Sequence, residues 1–420
     1  MATGMSGDRY LSAREAAEEL GVSVATLYAY VSRGLVRSEA TGGKRRDRRY
    51  RAEDVRRLKE RKEQRRDPAR AARNALDWGM PVMESAITLI ADGRMYYRGQ
   101  DAADLSGNCS LEQVAELIWA GNLPQGRRDR PPELFRASAG DPVVPMPQRI
   151  GGEGAGRHAW TEAFGMALQC APAEDPAAYD LRAAAVARTG ARILRLLAAT
   201  AAGGAWSTED TVSRTLQRRW APRDAGAADL IDRALVLCAD HELNVSSFTA
   251  RCVASAGATP YAVVVAGLAA LGGAKHGGNT ERVEAFLAEA EATGDAESAV
   301  TTRLRRGETV PGFGHPLYPA GDPRAEALLT ALAGAYPRSS ARVLADEAAK
   351  ATGDLMDERP NVDFALVAAT RTLGLPPGAA LALFALGRTV GWVGHAIEQY
   401  EADRIVRPRA RYVGEQPAGH

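Results

Sequence analysis

Apolar residues recur at helical spacing in two short segments at the start of the chain. Ser12 and Glu15 form a capping box that predicts a helix over 13–20, and Gly21 is placed to end that helix. A second helix begins after Ser23, and its apolar positions predict a buried stripe. The stripe consists of Val24, Leu27, Tyr28 and Val31. Two helices joined by a tight Gly-Val-Ser turn indicate a helix-turn-helix.

A basic stretch follows the second helix, which Gly34 is expected to end. Thr41-Gly42-Gly43 and the run 44–51 predict two short strands around a Gly-Gly tip, and 52–63 reads as a third helix. This layout resembles the winged helix-turn-helix of the excisionase and MerR-like DNA-binding families. A basic wing can neutralise several phosphates, so the resemblance implies DNA as a partner. The alternative is a degraded or purely protein-binding module.

The remaining chain is patterned almost entirely for helices. Asp92-Gly93 between two short apolar runs predicts one β-hairpin, and 110–120 is amphipathic and closes at Gly121. Beyond a Pro/Gly/Arg-rich stretch over 125–158, helical segments of about 10 to 20 residues alternate with Gly/Pro breaks. The pattern predicts a mostly α protein.

Composition supports this organisation and adds a charge asymmetry. A chain of 420 residues is expected to form two or three domains, and only 6% aromatic residues beside abundant alanine and leucine favours helices. From Arg33 to Arg73, seventeen Lys or Arg stand against seven Asp or Glu, a balance of +10. Because the whole chain carries +1, the remainder sums to −9. One end of the protein is therefore built differently from the rest.

Targeting and cysteine patterns favour a cytoplasmic protein. No run of about 18 apolar residues is free of charge, so no membrane span is predicted, and Met1 to Arg9 lacks the apolar stretch of a signal peptide. The four cysteines are widely spaced without a CxxC pair, which argues against a disulfide framework and a zinc site. We expect buried, reduced thiols and no bound metal.

Three of the six histidines lie in unusual local settings. His241 opens HELNVSSFTAR, His276 lies in GGAKHGGN, and His315 lies in VPGFGHPLYPAGDPRA. Glycine beside a histidine lets the backbone approach a ligand closely. One such histidine favours a structural role, but three in one helical domain indicate a functional site.

Acidic and basic candidates follow them. Asp363 lies in RPNVDFALVAA at the start of a predicted helix, where the helix N-terminus keeps a carboxylate ionised. The alternative is that Asn361 or Asp363 only caps that helix. Arg388 lies in an otherwise apolar helix, so it must pair with an anion or extend to the surface. Further candidate cations are Arg324, Arg407 and Arg409.

These blocks together resemble the citrate synthase family. HELNxSSFTAR, GxxHGG, GFGHxxYxxxDPRA, NVDF, GRTVGW and RPRxxYxG occur in the family's order, and the resemblance runs from Leu76 to Gly414. It implies all-helical large and small domains behind a short N-terminal β-hairpin. We therefore expect a winged helix-turn-helix over 8–65, a charged linker over 66–75 and a citrate synthase-like domain over 76–420.

The resemblance also implies an activity, namely joining the methyl carbon of an acyl-CoA to oxaloacetate. Asp363 matches the base that removes the methyl proton, His276 the group that binds the thioester oxygen, and His315 the acid that protonates the ketone oxygen. Arg324 and Arg388 match the residues that bind the carboxylates of oxaloacetate, and His241 matches a further oxaloacetate contact. Arg407 matches an arginine supplied by the partner subunit. A homodimer with a shared active site follows, with CoA thioester as substrate and no cofactor.

Some positions depart from the family pattern. Pro316 and Pro319 stand where the family's GFGHRVYK has basic residues, and Asp363 is followed by Phe-Ala-Leu rather than aromatic-Ser-Gly. These departures leave the acyl donor open. Citrate synthesis from acetyl-CoA is the first interpretation, and a 2-methylcitrate synthase or a citryl-CoA lyase-like enzyme is the second. A third is a DNA-binding regulator whose synthase-like domain senses ligand without turnover.

Overall fold

The computed structural model describes residues 10–32, 35–40, 48–52, 54–55, 83–136, 159–204, 209–410 and 412–415. The chain divides into two compact units, with the boundary between Glu84 and Ser85. The predicted linker over 66–75 lies outside the described residues, so its place remains a prediction.

The first unit begins with the two predicted helices, α1 (Ala13–Leu20) and α2 (Val24–Ser32). Ser12 and Glu15 form the predicted capping box, and Gly21 ends α1 with a left-handed φ of 59°. Ser23 Oγ accepts the backbone N–H of Thr26 at 3.2 Å, which caps α2. The local signals for these helices are confirmed.

A small sheet completes the described part of the first unit. Strands β1 (Tyr10–Leu11), β2 (Ser38–Ala40) and β3 (Arg48–Arg51) pair antiparallel in the order β1-β3-β2. Gly34, the wing tip over 41–47 and most of the predicted third helix lie outside the described residues.

The buried stripe predicted for α2 is wrong at one position. Leu27 is fully buried and packs in a core with Leu20 and Tyr50, whereas the side chain of Tyr28 is 54% exposed. Val24 and Val31 are partly buried. A short helix against a core this small can bury only a narrow stripe, so the neighbouring turn position faces solvent.

The second unit opens with a three-stranded antiparallel sheet of β4 (Thr88–Ala91), β5 (Arg94–Tyr97) and β6 (Gln100–Asp101). Asp92 and Gly93 join β4 to β5, and both have positive φ, 52° and 73°. A two-residue turn with this backbone conformation matches the twist of the strands that it connects. For this reason an Asp-Gly pair between two apolar runs predicts a β-hairpin.

Helices make up nearly all the rest of the second unit, as predicted. Fourteen of the sixteen helices in the described residues belong to it. They are α3 (Ala102–Asn108), α4 (Leu111–Ala120), α5 (Ala159–Cys170), α6 (Ala183–Ala201), α7 (Val212–Trp220), α8 (Ala227–Leu237), α9 (Val245–Ser255), α10 (Pro260–Leu271), α11 (Asn279–Thr293), α12 (Ala296–Arg305), α13 (Pro323–Ala335), α14 (Ser340–Met356), α15 (Val362–Thr372) and α16 (Ala379–Ala402).

Helix α16 is the centre of the larger helical group. It packs against α4, α6, α8, α9 and α10, and its residues Ala379 to Ile397 are buried without a break. By length and composition α16 is apolar enough to cross a membrane, yet its apolar window is buried inside the protein. It therefore has the character of a core helix, which is apolar on all sides because it is surrounded.

The smaller group consists of α11 to α15. Helix α15 contacts α11, α13 and α14, and it also contacts α16 of the larger group. The mostly helical fold with large and small helical groups behind a β-hairpin is confirmed. The loops that carry the candidate histidines connect or border these two groups.

The thiols are free, as expected, but not all are buried. Cys109 and Cys238 are buried, Cys252 is partly buried, and Cys170 at the end of α5 is exposed. The expectation that all four thiols lie in the core is therefore wrong for Cys170, because the last turn of α5 faces solvent.

Candidate active site

His241 lies in the turn between α8 and α9. Its side chain is buried, and Nε2 lies 2.9 Å from the hydroxyl of Tyr318. Burial, and after it the positive charge of Arg324, lowers the pKa of His241 well below its usual value. The ring is therefore neutral at pH 7.

His276 lies in the glycine-rich loop between α10 and α11. Its Nε2 is 3.0 Å from Ser246 Oγ. The indole of Trp392 donates to the same oxygen at 3.2 Å, and the hydroxyl of Ser246 donates to Asn244 Oδ1 at 2.7 Å. Burial, then the charge of Arg388, lowers the pKa of His276 to about 4, so this ring is also neutral at pH 7.

His315 lies in the loop between α12 and α13. The backbone N–H of Leu317 donates to Nδ1 at 3.2 Å, so Nδ1 accepts and the proton of the neutral ring sits on Nε2. Burial, then Arg324, lowers the pKa of His315 to about 4. Its ring centroid is 5.2 Å from that of His241. His315 can therefore donate a hydrogen bond from Nε2.

Asp363 is the second residue of α15. Asn361 caps this helix by accepting the N–H of Asp363 at 3.1 Å, so the capping role belongs to Asn361. Asn279 donates to Asp363 Oδ2 at 2.8 Å. Burial raises the pKa of Asp363, although the Asn279 hydrogen bond and Arg324 oppose the rise. A raised pKa makes the carboxylate a stronger base.

The two buried arginines are held in different ways. Arg324 makes a two-point contact with Asp322, Nε to Oδ1 at 2.9 Å and Nη2 to Oδ2 at 2.7 Å. Arg388 donates from Nε to the carbonyl of Cys238 at 2.8 Å. In the described part of the chain, Arg388 Nη2 is a buried donor without a hydrogen-bond partner. A buried, unpaired donor on a cation is costly unless an anion binds it.

One set of contacts links His276, Arg388 and Asp363. The ring of Phe384 lies 6.0 Å from the His276 ring, and Arg388 Cζ lies 4.8 Å from the Phe384 centroid. Asn279, which bonds Asp363, also donates its backbone N–H to the carbonyl of His276 at 3.3 Å.

A second set of contacts links His241, Arg324 and the start of α15. Tyr318 bonds His241, and its ring centroid is 5.5 Å from Arg324 Cζ. Asp322, the partner of Arg324, also accepts the N–H of Val362 at 3.0 Å. Asp322 therefore ties the arginine to the helix that carries Asp363.

The structure brings six of the seven predicted site residues together and leaves Arg407 apart. Arg407 is exposed on the tail after α16. The residues that sequence reasoning missed are Ser246, Asn279, Tyr318 and Asp322, each bonded to a predicted one. Each lies within or beside a quoted motif, which is the signal that could have found them.

Comparison with known proteins identifies the larger unit. The family model for the citrate synthase C-terminal domain matches residues 75–409. This chain belongs to the citrate synthase family. It is a citrate synthase-type condensing enzyme. This assignment favours the interpretation of an enzyme over that of a regulator that senses ligand without turnover. A second model, the MerR helix-turn-helix family of regulatory proteins, matches residues 11–67.

Relatives agree with this assignment along most of their length. The citrate synthase of Haloferax volcanii is 30% identical over 360 residues, covering 80% of this chain and 95% of that protein. The 2-methylcitrate synthase of Mycobacterium tuberculosis is 28% identical over 377 residues, covering 80% and 90%. The structure of Thermoplasma acidophilum citrate synthase with carboxymethyl coenzyme A and oxaloacetate has a TM-score of 0.61, 24% identity and coverage of 81% and 96%. At that identity the last likeness shows the fold alone.

Proposed function

We propose that this citrate synthase family member condenses acetyl-CoA with oxaloacetate and releases citrate and CoA. One observation carries the proposal: a half-buried carboxylate, two neutral imidazoles and a buried guanidinium with an unpaired donor lie in one cluster, close enough for the arginine charges to act on the other groups. That set contains a base, hydrogen-bond donors for developing negative charge, and a site for an anionic substrate.

The first step requires a base beside a donor. Asp363 removes a proton from the methyl group of acetyl-CoA, while a neutral His276 donates a hydrogen bond to the thioester oxygen as it becomes an enol. In the structure the Ser246 hydroxyl donates its single proton to Asn244 Oδ1. For this step the hydroxyl must turn to Nε2 of His276, which leaves the ring proton on Nδ1. Nδ1 then faces the substrate as a donor.

Carbon–carbon bond formation places negative charge on the ketone oxygen of oxaloacetate. His315 is suited to protonate that oxygen, because its Nδ1 accepts the N–H of Leu317 and its proton therefore lies on Nε2. Water then hydrolyses the thioester and releases CoA as a free thiol, which makes the sequence irreversible. No residue in this scheme requires a metal or a bound cofactor.

Oxaloacetate carries two carboxylates, and two arginines are available for them. The planar guanidinium of Arg388 can bind a carboxylate at two points, which lysine cannot. Arg324 stays hydrogen-bonded to Asp322 through Nη2 and adds positive charge to the site. His241 adds a neutral contact beside His315.

We propose a homodimer in which Arg407 of one subunit enters the active site of the other. Its exposure on the C-terminal tail is compatible with that role. Mixing unfolded Asp363→Ala and Arg407→Ala subunits and refolding them should restore about a quarter of wild-type activity, because half of the dimers are mixed and each has one intact site. No restoration would remove the shared site.

The acyl donor is the finer question. The likeness to a 2-methylcitrate synthase, over 80% of this chain and 90% of that protein, favours propionyl-CoA as the second candidate. A cavity of about 140 Å³ lies beside His315 and is bordered by Pro319 and Glu358. Pro319 lies in the loop where the family pattern has basic residues. Acetyl-CoA and propionyl-CoA should be compared by kcat/KM on one preparation, since a pocket usually separates them by only about 10–200-fold.

The deciding experiment is a thiol-release assay with acetyl-CoA and oxaloacetate. We expect CoA release by the wild type and a loss of about 10²–10⁴-fold in kcat for Asp363→Ala, since a positioned base contributes that much. The exposed Asp354 on α14 supplies the matched control, and Asp354→Ala should behave like the wild type. Wild-type protein inactive with both acyl donors would overturn the proposal.

For the first unit we propose duplex DNA as the partner. The MerR helix-turn-helix match and the basic β3 strand support it. Exposed Tyr28 on α2 adds an aromatic side chain to the surface of the helix that follows the turn.

A further inference from the structure

A buried polar contact lies behind the active site, between Asp240 and His395. Neither side chain has any exposed surface. Asp240 Oδ1 is 3.2 Å from His395 Nε2, and Asp240 Oδ2 accepts the hydroxyl proton of Thr88 at 2.6 Å. Among the described residues neither Asp240 Oδ1 nor His395 Nε2 has a hydrogen-bond partner, so the two atoms form a close polar contact rather than a well-aligned hydrogen bond. Asp240 directly precedes His241, and His395 lies on α16 two turns after Arg388. The contact therefore joins the two segments that carry these site residues.

The two segments touch backbone to backbone. An added Cβ at Gly391 would lie 2.4 Å from Asp240 Oδ1, and one at Gly387 would lie 2.5 Å from the carbonyl of Leu235. The N–H of Gly391 donates to the carbonyl of Ala239 at 2.9 Å. Only glycine permits this approach, and the two glycines flank Arg388 on either side.

Arg388 and His241 lie on the two segments that this contact joins. Arg388 is fixed by its bond to the carbonyl of Cys238, within the segment that continues through Asp240 to His241. His395 and Arg388 are the cations or potential cations whose charge acts on Asp240. If His395 is removed, the buried Asp240 carboxylate loses a partner, and the remaining cation that can serve it is Arg388.

We propose that Asp240 and His395 are positioning residues that keep the guanidinium of Arg388 directed at the oxaloacetate carboxylate and in register with His241. The inference rests on the proposed function, because it assumes that Arg388 and His241 bind oxaloacetate. It adds a determinant of substrate affinity that contacts no substrate atom. His395 Nδ1 lies 4.0 Å from Glu398 Oε2, which is too long for a hydrogen bond, so the Asp240 side of the ring is the side that matters.

The test compares three substitutions in the full-length protein. His395→Leu removes the contact, His395→Gln keeps an N–H donor for Asp240, and Thr389→Val is the control. Thr389 is buried on the same helix, and its hydroxyl donates only to its own helix at Ala385. Calorimetry gives the Kd of oxaloacetate, thiol release gives KM and kcat, and thermal unfolding checks stability.

We expect His395→Leu to raise the Kd and KM of oxaloacetate by about 10–100-fold, the range for a small misplacement of a binding group, while KM for the acyl-CoA stays unchanged. His395→Gln should recover most of the affinity, and Thr389→Val should match the wild type. Equal loss in Leu and Gln variants, or a loss confined to thermal stability, would overturn the inference.

If His395→Leu does not fold, Thr88→Val decides, because it removes the hydrogen bond that the Asp240 carboxylate accepts from a partly buried strand position. A raised oxaloacetate KM in Thr88→Val supports the inference, and an unchanged KM overturns it. Wild-type protein that fails to bind oxaloacetate overturns the proposed function and this inference together, whereas normal wild-type binding with unchanged variants overturns the inference alone.

Discussion

The two units of this protein use arginine in opposite ways. In the first unit, Arg49 has a side chain 49% exposed and lies 3.6 Å from Glu39 on the neighbouring strand. In the second, the side chain of Arg324 is 3% exposed and lies 2.7 Å from Asp322, itself 1% exposed. An exposed pair is screened by salt and contributes little, whereas a buried pair is screened far less and is costly to break.

This difference in burial indicates which kind of anion each group of arginines is suited to bind. Exposed arginines on a strand can rearrange along a polyanion such as DNA and release its counterions. Buried arginines with fixed partners hold their donors in one direction, which suits a small dianion such as oxaloacetate. The aspartates around them keep the cluster of positive charge stable when no substrate is bound.

The contrast between buried and exposed arginine is tested most directly by the same conservative substitution in both units. Arg388→Lys should raise the KM of oxaloacetate by about a hundredfold, because an ammonium cannot replace two-point binding and leaves the Cys238 carbonyl unsatisfied. Arg49→Lys should change DNA affinity by less than about threefold, since a phosphate accepts either cation. Similar losses in both assays would contradict the contrast between buried and exposed arginine.

Salt should separate the two activities in one preparation. Raising KCl from 50 to 200 mM should weaken DNA binding about tenfold or more, as expected for several phosphate contacts. Over the same range the KM of oxaloacetate should change by less than about threefold. A gel-shift titration and thiol-release kinetics measure the two responses, and the absence of any DNA complex at low salt would remove the DNA proposal.

Acid should destabilise the second unit through its neutral histidines. The pKa values of His276 and His315 are lowered to about 4, below the unfolded value of 6.5. Between those pH values the unfolded chain binds more protons, so the free energy of unfolding falls as pH drops from 6.5 to 4. Urea unfolding at pH 7, 5.5 and 4.5 tests this, and His315→Asn should show a shallower decline. An identical slope in that variant would assign the effect to other groups.

The smallest expected effect concerns one phosphate contact. Arg48 is exposed on β3, where it contacts Ser38 Oγ at 3.2 Å. Arg48→Ala should lower DNA affinity a few-fold and reduce the slope of log affinity against log salt by about one. Glu18→Ala on α1, an exposed site without positive charge, is the control and should leave the slope unchanged.

The sequence by itself determined the local elements and the chemistry-bearing residues. The Ser12–Glu15 capping box, the Asp92-Gly93 turn and the end of α1 at Gly21 were readable because each depends on neighbours within a few residues. His241, His276, His315, Asp363 and Arg388 were found because glycine-rich or otherwise unusual local settings marked them. These signals are short-range, so one chain suffices to read them.

Only the tertiary structure decided how these residues are joined. Asn279 bonds Asp363 across 84 positions, His276 bonds Ser246 across 30, and Asp240, in the turn after α8, contacts His395 on α16. Exposure of Tyr28 likewise depended on how much core the first unit offers. Periodicity gives the face of a helix but not the partner that covers it, because that partner is chosen by packing between segments distant in sequence.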